Sequence, residues 1–506
     1  LKLIHRFPFA FSSVGFGALL VGVGVLLWSF VLPQAAFSQN SQPAPSHAMK
    51  VMKDWRWVRG TVFVPTNAIN EAQEWDEYDP NVNDRELHCA SVYGITCVRV
   101  FLYDLIYEKK KDAFLKEIED FLTRADKYHI KVEFVFFDSC WNNPPPDILD
   151  PKYVYPPPIY GTHNSRWLKE PSDDYLAKYL ENKDPSYKTK LKDYVESVVN
   201  AHKNDPRIAF WETYNEPDSS KEPAQLQLMA DSLKWIHDTG STIPVTATGT
   251  DHPGDPYSDF LTWHKYGGDY DIPQIPIYSL CTECMERQDM TVPNIVSHFR
   301  DKVGFIMWEF GIGRDNCRFN WDQTGAKHAT QENSTPFHGI VFPDGHPWSV
   351  DDVRALVGEE AFNKEPLFKV RYYLDPTFTT LAKESVTPMI DFDLNDEKGT
   401  NVPDSTIRMP ESNWSVRWTG LIAAPQSGDY TFTVDGDNAV KVIVDGRTVI
   451  NKTDLGRGTT NGNVILPGDH PVPIEIDYVH TTGLSSLHLD WSGPGVSKQA
   501  VTPVAQ

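Results

Sequence analysis

Basic residues are in short supply. The 506-residue chain has 47 Lys and Arg against 69 Asp and Glu, a formal charge of −22. A surface this acidic repels phosphate backbones, which argues against nucleic-acid binding. No long block of like charge appears, so the acidity belongs to a solvated surface and not to an acidic tail. Cysteine is also scarce: Cys89, Cys97, Cys140, Cys281, Cys284 and Cys317. Cys281-Thr-Glu-Cys284 has the spacing of a redox or metal pair. No second such pair or adjacent His supports a zinc site, so no metal is expected, and a structural disulfide or plain buried thiols remain. Beyond the first forty residues no segment is long and apolar enough to span a bilayer. What is present is globular composition, 40% hydrophobic and 23% charged, with 12% aromatic residues. Aromatic richness suits ligands with flat apolar faces, such as sugars, as well as it suits a large core. The length favours two or three domains.

At the N-terminus, Lys2, His5 and Arg6 precede an uncharged stretch, residues 14–31, which ends in Leu-Pro-Gln-Ala-Ala-Phe-Ser. Basic flank, apolar middle and small residues at the exit describe a secretory signal over 1–38, cleaved after Ser38, or an uncleaved anchor. Residues 39–48 form a polar, proline-bearing linker. The expected location is secreted or at the cell surface, with membrane attachment through this segment as the anchor alternative.

From 49 to 372 short apolar runs alternate with helical patterns. Residues 96–102 (TCVRVFL), 132–137 (VEFVFF) and 208–214 (IAFWETY) read as buried strands, while Phe114, Ile118, Phe121, Leu122 and Ala125 recur at helical spacing. Strand starts near Thr61, Thr96, Val132, Ile208, Pro244, Phe260, Pro276 and Gly304 total eight, the number of a (β/α)8 TIM barrel. From 378 to 506 the helical period gives way to short alternating runs punctuated by Asp445-Gly446 and Pro467-Gly468, which predicts an all-β sandwich.

Catalytic side chains of such barrels sit at the C-terminal strand ends. Those ends carry Arg99, Asp138 with Trp141, Asn215-Glu216-Pro217, His264 with Tyr266, Glu283, and Trp308-Glu309. Glycosidic hydrolysis needs two carboxyls, one protonated to release the leaving oxygen and one ionised to attack. A neighbouring Asn can hold a sugar hydroxyl, while His, Tyr and Arg tune the attacking carboxylate. Asp138 is read as a helix cap or a ligand contact.

That ordered set resembles the retaining (β/α)8 glycoside hydrolases, and within them the cellulase-like enzymes of glycoside hydrolase family 5. The likeness is carried by residues 60–70 (GTVFVPTNAIN), 94–105 (GITCVRVFLYDL), 136–142 (FFDSCWN), 161–167 (GTHNSRW), 211–217 (WETYNEP) and 263–266 (WHKY). The resemblance implies Glu216 as acid/base, Asn215 as its sugar-binding neighbour, and Arg99, His264 and Tyr266 around the nucleophile.

Two glutamates compete for the role of nucleophile. Glu309, in Trp-Glu-Phe-Gly, looks like the Glu-Phe-Gly at strand 7 of that family. Counting elements instead puts Glu283 at the end of strand 7, because a helix and a strand follow it and no such pair follows Glu309. Glu283 is therefore the expected nucleophile, with Trp141, Trp308 and Glu309 as substrate contacts. One departure opposes this register: nine residues between Tyr266 and Pro276 leave no room for a normal sixth helix.

The C-terminal region is similar to the protective-antigen-type sandwich of exported glycosidases and adhesins, through residues 415–434, 440–446, 474–480 and 487–495. Members that bind sugar through calcium use an Asp-Asp pair, and Asp437-Asn438-Ala439 lacks one of those carboxylates. The expected function is an exported retaining β-glycoside hydrolase, similar to cellulases, mannanases and xylanases, that cleaves a polysaccharide or oligosaccharide by double displacement without a cofactor. A transglycosylase and an inactive surface glycan-binder are the alternatives.

Overall fold

The computed structural model describes residues 53–217, 223–248, 258–272, 278–320, 335–394 and 402–505. The expected signal or anchor and the linker lie outside the described residues. Eight strands form one parallel sheet: β1 (Arg59–Val62), β2 (Cys97–Phe101), β3 (Lys131–Asp138), β4 (Ile208–Asn215), β5 (Val245–Thr248), β6 (Leu261–Lys265), β7 (Ser279–Cys284) and β8 (Gly304–Met307). Each begins within three residues of the position read from the sequence. The order is β5-β4-β3-β2-β1-β8-β7-β6, every pair parallel. At the remaining seam β5 and β6 meet mainly through side chains. The Thr262 hydroxyl lies 2.9 Å from that of Thr246 and 2.6 Å from that of Thr248, while the Asp259 amide donates to the Val245 carbonyl at 2.8 Å. The sheet is thus a nearly closed barrel.

Helices cover its outside. β1 is followed by α1 (Glu71–Asp76) and α2 (Pro80–Val92), β2 by α3 (Asp104–Lys127), β3 by α4 (Asp173–Tyr179) and α5 (Pro185–His202), and β4 by α6 (Pro223–Asp238). β7 is followed by α7 (Val292–Phe299), and β8 by α8 (Val350–Val357) and α9 (Glu359–Phe362). The local reasons are ordinary. The Asp79 carboxylate caps α2 and Pro80 occupies its first turn. The Phe114, Ile118, Phe121 and Leu122 stripe of α3 is fully buried against the sheet. Among the described residues no helix lies between β6 and β7, and β8 is followed by helices but by no further parallel strand. The expected hairpin after the barrel is a tight turn, with the Phe342 amide bonded to the His346 carbonyl (2.9 Å) and Gly345 at φ +83°. No helix among the described residues is long and apolar enough to cross a membrane.

The C-terminal region holds two packed antiparallel sheets. One, ordered β10-β9-β12-β17-β14-β15, comprises β9 (Phe368–Tyr373), β10 (Leu381–Thr387), β12 (Trp414–Ile422), β14 (Ala439–Val444), β15 (Arg447–Lys452) and β17 (Val472–His480). The other, ordered β11-β18-β13-β16 with β19 beside β18, comprises β11 (Asp391–Asp393), β13 (Gly428–Gly436), β16 (Gly458–Leu466), β18 (Ser486–Gly493) and β19 (Val496–Ala500). Trp418, Val442 and Ile476 from the first face Phe432, Val434 and Leu489 from the second in one buried cluster. Asp445 and Gly446 both take positive φ, as a two-residue hairpin turn requires. β9 lies inside the first sheet although the sequence pattern had closed the barrel at 372 and opened the sandwich at 378. Phe368, Val370 and Tyr372 alternate onto the sandwich core, and this six-residue run borders the helical region too closely to show its allegiance.

The sandwich is tied to the barrel. The Tyr93 hydroxyl donates to the Val386 carbonyl (3.4 Å), and the Tyr372 hydroxyl donates to Asp344 (2.7 Å). Lys383 pairs with Asp404 (2.6 Å), which also faces His346. Met389 and the partly buried Val386 pack against the barrel's own apolar cluster.

Candidate active site

Arg99, on β2, is fully buried at the C-terminal end of the barrel interior. Its Nη1 donates to Glu283 (2.6 Å), its Nη2 to Glu212 (3.0 Å) and Asn215 (2.9 Å), and its Nε to Glu133 and Glu212 (3.1 Å each). Burial alone would weaken its hold on its proton, but the Glu212, Glu283 and Glu133 charges outweigh burial and keep the guanidinium charged. Glu133 and Glu212 did not stand out in the sequence. Each is a lone acid inside an apolar strand run, VEFVFF or IAFWETY, and that intrusion was the only signal. Burial and the adjacent Glu212 raise Glu133. For Glu212, burial is overcome by Arg99 and by the bond from Glu133, so Glu133 holds the proton between them.

Glu216 and Glu283 converge on one imidazole. His264 Nδ1 lies 2.6 Å from Glu216 and 3.4 Å from Glu283, and the oxygens and the nitrogen of this trio all lie within 4.8 Å of one another. The Tyr266 hydroxyl donates to Glu283 at 2.7 Å. Glu216 follows β4 with φ +46°, a left-handed conformation that costs a non-glycine residue about 1 kcal/mol or more and turns the chain there. Its amide is held by the Thr248 carbonyl at 2.7 Å. The Cys140 thiol lies 3.7 Å from its second oxygen. Burial lowers the proton affinity of His264, but Glu283 and Glu216 more than restore it, so its proton is held more tightly than that of a free imidazole. Burial pushes Glu216 up, yet the His264 bond and charge bring it below the usual carboxylate range. Burial, with the Glu216 charge, leaves Glu283 raised in spite of His264 and Arg99.

The other expected contacts fall in three places. Asn215 is bound to Arg99 beside the carboxyl pair. Trp141 is half-buried, its Nε1 donating to Asp138 at 2.8 Å. Asp138 also accepts the Cys140 amide at 2.8 Å, so it pins this loop and caps no helix. Trp308 is 1% exposed, packed beneath Trp141 and Trp167 with ring centroids at 6.3 and 5.1 Å. Glu309 is buried with Asp315 and Cys317, their ligating atoms within 4.8 Å. Burial and the Asp315 charge and hydrogen bond hold it well above the carboxylate range. The groups that surround Glu283 thus accompany Glu283 and Glu216, while Glu309 has a different set of partners.

All six cysteines are free thiols, five buried and Cys140 exposed. Two further trios place three donor groups within 4.8 Å, Glu119-His202-Asp205 and Glu309-Asp315-Cys317. In the sandwich, Asp437 accepts from Ser486 (2.7 Å), and Asn438 donates to the Leu484 carbonyl (2.8 Å). Both are buried and tie loops together.

Residues 379–505 match the family model of the PA14 domain. This part of the chain is a PA14 domain. The anti-sigma-I factor RsgI3 of Acetivibrio thermocellus is 30% identical over 131 residues, 26% of this chain and 19% of that protein. The chain therefore spans about a fifth of the length of that curated relative. Among solved structures, a PA14 sugar-binding domain from an RTX adhesin is 20% identical, covering 27% of this chain and 98% of its own, with a TM-score of 0.23. A beta-1,4-mannanase from the sea hare Aplysia kurodai is 14% identical, covering 49% of this chain and 87% of its own, with a TM-score of 0.36.

Proposed function

We propose that the barrel hydrolyses O-glycosidic bonds of a polysaccharide or oligosaccharide with retention of configuration, and that the PA14 domain serves the same glycan. The observation that carries this reading is the pair of carboxyls on one imidazole: Glu216 and Glu283 lie 2.6 and 3.4 Å from His264 Nδ1, within 4.8 Å of one another. Retaining glycosidases hold their two carboxyls about 5–5.5 Å apart, leaving room for a sugar carbon and not for an extra water.

Glu216 is the acid/base and Glu283 the nucleophile. Arg99 and Tyr266 hold one Glu283 oxygen each, which orients the other lone pairs towards the anomeric carbon and favours the ionised form. Asn215, fixed by Arg99, offers its amide to a sugar hydroxyl. His264 favours an ionised Glu216, the reverse of what proton delivery needs. A leaving-group oxygen entering beside Glu216 takes the place of the His264 bond and lets the carboxyl recover its proton. Arg99 and Tyr266 stay on Glu283, so the pair reaches its working state only around substrate. Two carboxyls and water complete the reaction: attack by Glu283 expels the protonated leaving group, and Glu216 then draws a proton from water to release the sugar.

The test is hydrolysis of a panel of polysaccharides and aryl glycosides. Glu216→Gln should lose about 100-fold or more on poor leaving groups and much less on activated aryl ones, because only the former need the proton. Glu283→Gly should be inactive on both and partly recovered by azide, with an inverted glycosyl azide as product. Equal loss on both leaving-group classes for Glu216→Gln, or no hydrolysis of any panel member by the intact protein, would overturn the proposal.

A further inference from the structure

Between the barrel and the PA14 domain lies a cavity of about 440 Å³, lined on one side by the loops that follow β1, β3 and β8 and on the other by β11 and the segment 402–405. Three arginines, Arg85, Arg314 and Arg318, line it. In a protein with a net charge of −22 such clustering is against the grain. Among the described residues neither Arg314 nor Arg318 has a carboxylate within ion-pair reach. Arg318 donates to the Ser405 hydroxyl (2.7 Å) and lies over the Phe319 ring. Among the described residues the Arg314 side chain donates to the Asn67 carbonyl alone (3.1 Å). Arg85, 7% exposed, is paired with Asp391 (3.7 Å) and Glu86 (3.8 Å), and its buried Nε has no hydrogen-bond partner among the described residues. The lining also holds two acids: Asp79 caps α2, and Asp393 faces Arg457 with one oxygen at 3.4 Å while its other oxygen is buried without a hydrogen-bond partner among the described residues. Arg314 and Arg318 are partly buried guanidinium groups with no ion-pair partner among the described residues, and such a pair is suited to an entering anion. Tyr160 and Phe342 add aromatic rings to the same wall.

We infer that this interdomain cavity binds an acidic saccharide, a pyranose bearing a carboxylate or a sulfate ester, with the anion on Arg314 and Arg318 and the sugar against the exposed ring of Tyr160. The inference rests on the reading of this chain as glycan-active and names a second, charge-selective site for it. The volume lies in the range of small-molecule sites, which favour domain interfaces. Guanidinium groups match planar carboxylates and the oxygens of sulfate, and rings match the apolar face of a sugar.

The experiment is calorimetric titration of the full chain with methyl glucuronide, glucose 6-sulfate, neutral methyl glucoside and inorganic sulfate. At least one of the two acidic sugars should bind, weakening as salt rises, and more tightly than either the neutral glucoside or sulfate alone. Which of them binds distinguishes the carboxylate from the sulfate ester. Arg318→Gln and Arg314→Gln, each checked for an unchanged melting curve, should weaken binding about tenfold or more. Among the described residues the Arg314 change touches only one carbonyl, so it keeps the test open if the Arg318 variant misfolds. No binding of either acidic sugar, equal binding of the neutral glucoside or of sulfate alone, or affinity unaltered by the Arg314 change would overturn the inference. Hydrolysis of neutral substrates without acidic-sugar binding would remove this site and leave the proposed activity standing. Acidic-sugar binding without hydrolysis of any polysaccharide would do the reverse.

Discussion

His264 holds the charge balance between two carboxyls, so its loss should show in the pH profile before it shows in the fold. Its charge lowers Glu283, and Glu283 must be ionised to attack. In His264→Ala, Glu283 should therefore ionise only at higher pH, and the acidic limb of kcat/KM should move upward. An unmoved acidic limb would mean that another group sets it. Glu309→Gln makes the opposite case. Glu309 shares its surroundings with Asp315, which burial pushes up to about 6, so an amide can replace a protonated carboxyl at little cost. That variant should keep activity within about tenfold of the parent. A loss as large as that of Glu283→Gly, with azide recovery, would transfer the nucleophile to Glu309. The residue types of this site were legible in the sequence because they sit at strand ends in barrel order. Their connections were not. Arg99 reaches Glu133 and Glu212 across 34 and 113 residues of chain, and nothing local marks an inward-facing acid inside an apolar strand.

Elements were legible where one period dominates for long enough. β3 and β4 read as unbroken buried runs and α3 as a clean apolar stripe, so their positions followed from sequence alone. β9 has only six residues and follows α9 after a connection of five, 363–367, so its alternation was absorbed into the barrel. Its place between β10 and β12 has a consequence for dissection. A fragment of residues 378–506 lacks an inner strand and leaves the edges of both neighbours unpaired. A fragment of 366–506 contains the whole sheet. The longer fragment should be soluble and unfold cooperatively by circular dichroism, and the shorter should aggregate or melt lower. Equal melting of the two would show that β9 contributes nothing to the sandwich.

Across the whole molecule, buried acid is the common theme, and it gives stability a slope in pH. Burial pushes Asp104 up to about 7 and holds Glu71, Glu74 and Glu170 well above the carboxylate range. In the unfolded chain these groups ionise near pH 4. Between about pH 6.5 and 8.5 the folded protein therefore retains protons that the unfolded chain has released, and stability falls as pH rises. Histidines that burial holds neutral, such as His163 and His338, are partly charged in the unfolded chain near pH 6.5 and oppose the trend only at that lower edge of the window. The melting temperature should drop by several degrees from the lower to the higher pH, each titrating group contributing up to about 1.4 kcal/mol per pH unit. A flat or rising profile would contradict the protonation states assigned to the barrel. The two-domain plan was legible in the shift of period near residue 378, whereas the side-chain ties between the domains have no sequence signature. One further property belongs to the ring as a whole. Among the described residues β5 and β6 meet chiefly through threonine hydroxyls, while every other neighbouring pair is joined by a backbone ladder. A cylinder laced everywhere but along one line has its slit built in: it can widen there by exchanging hydroxyl contacts for water while its ladders stay whole. Deuterium should enter beside that line before it reaches the opposite wall.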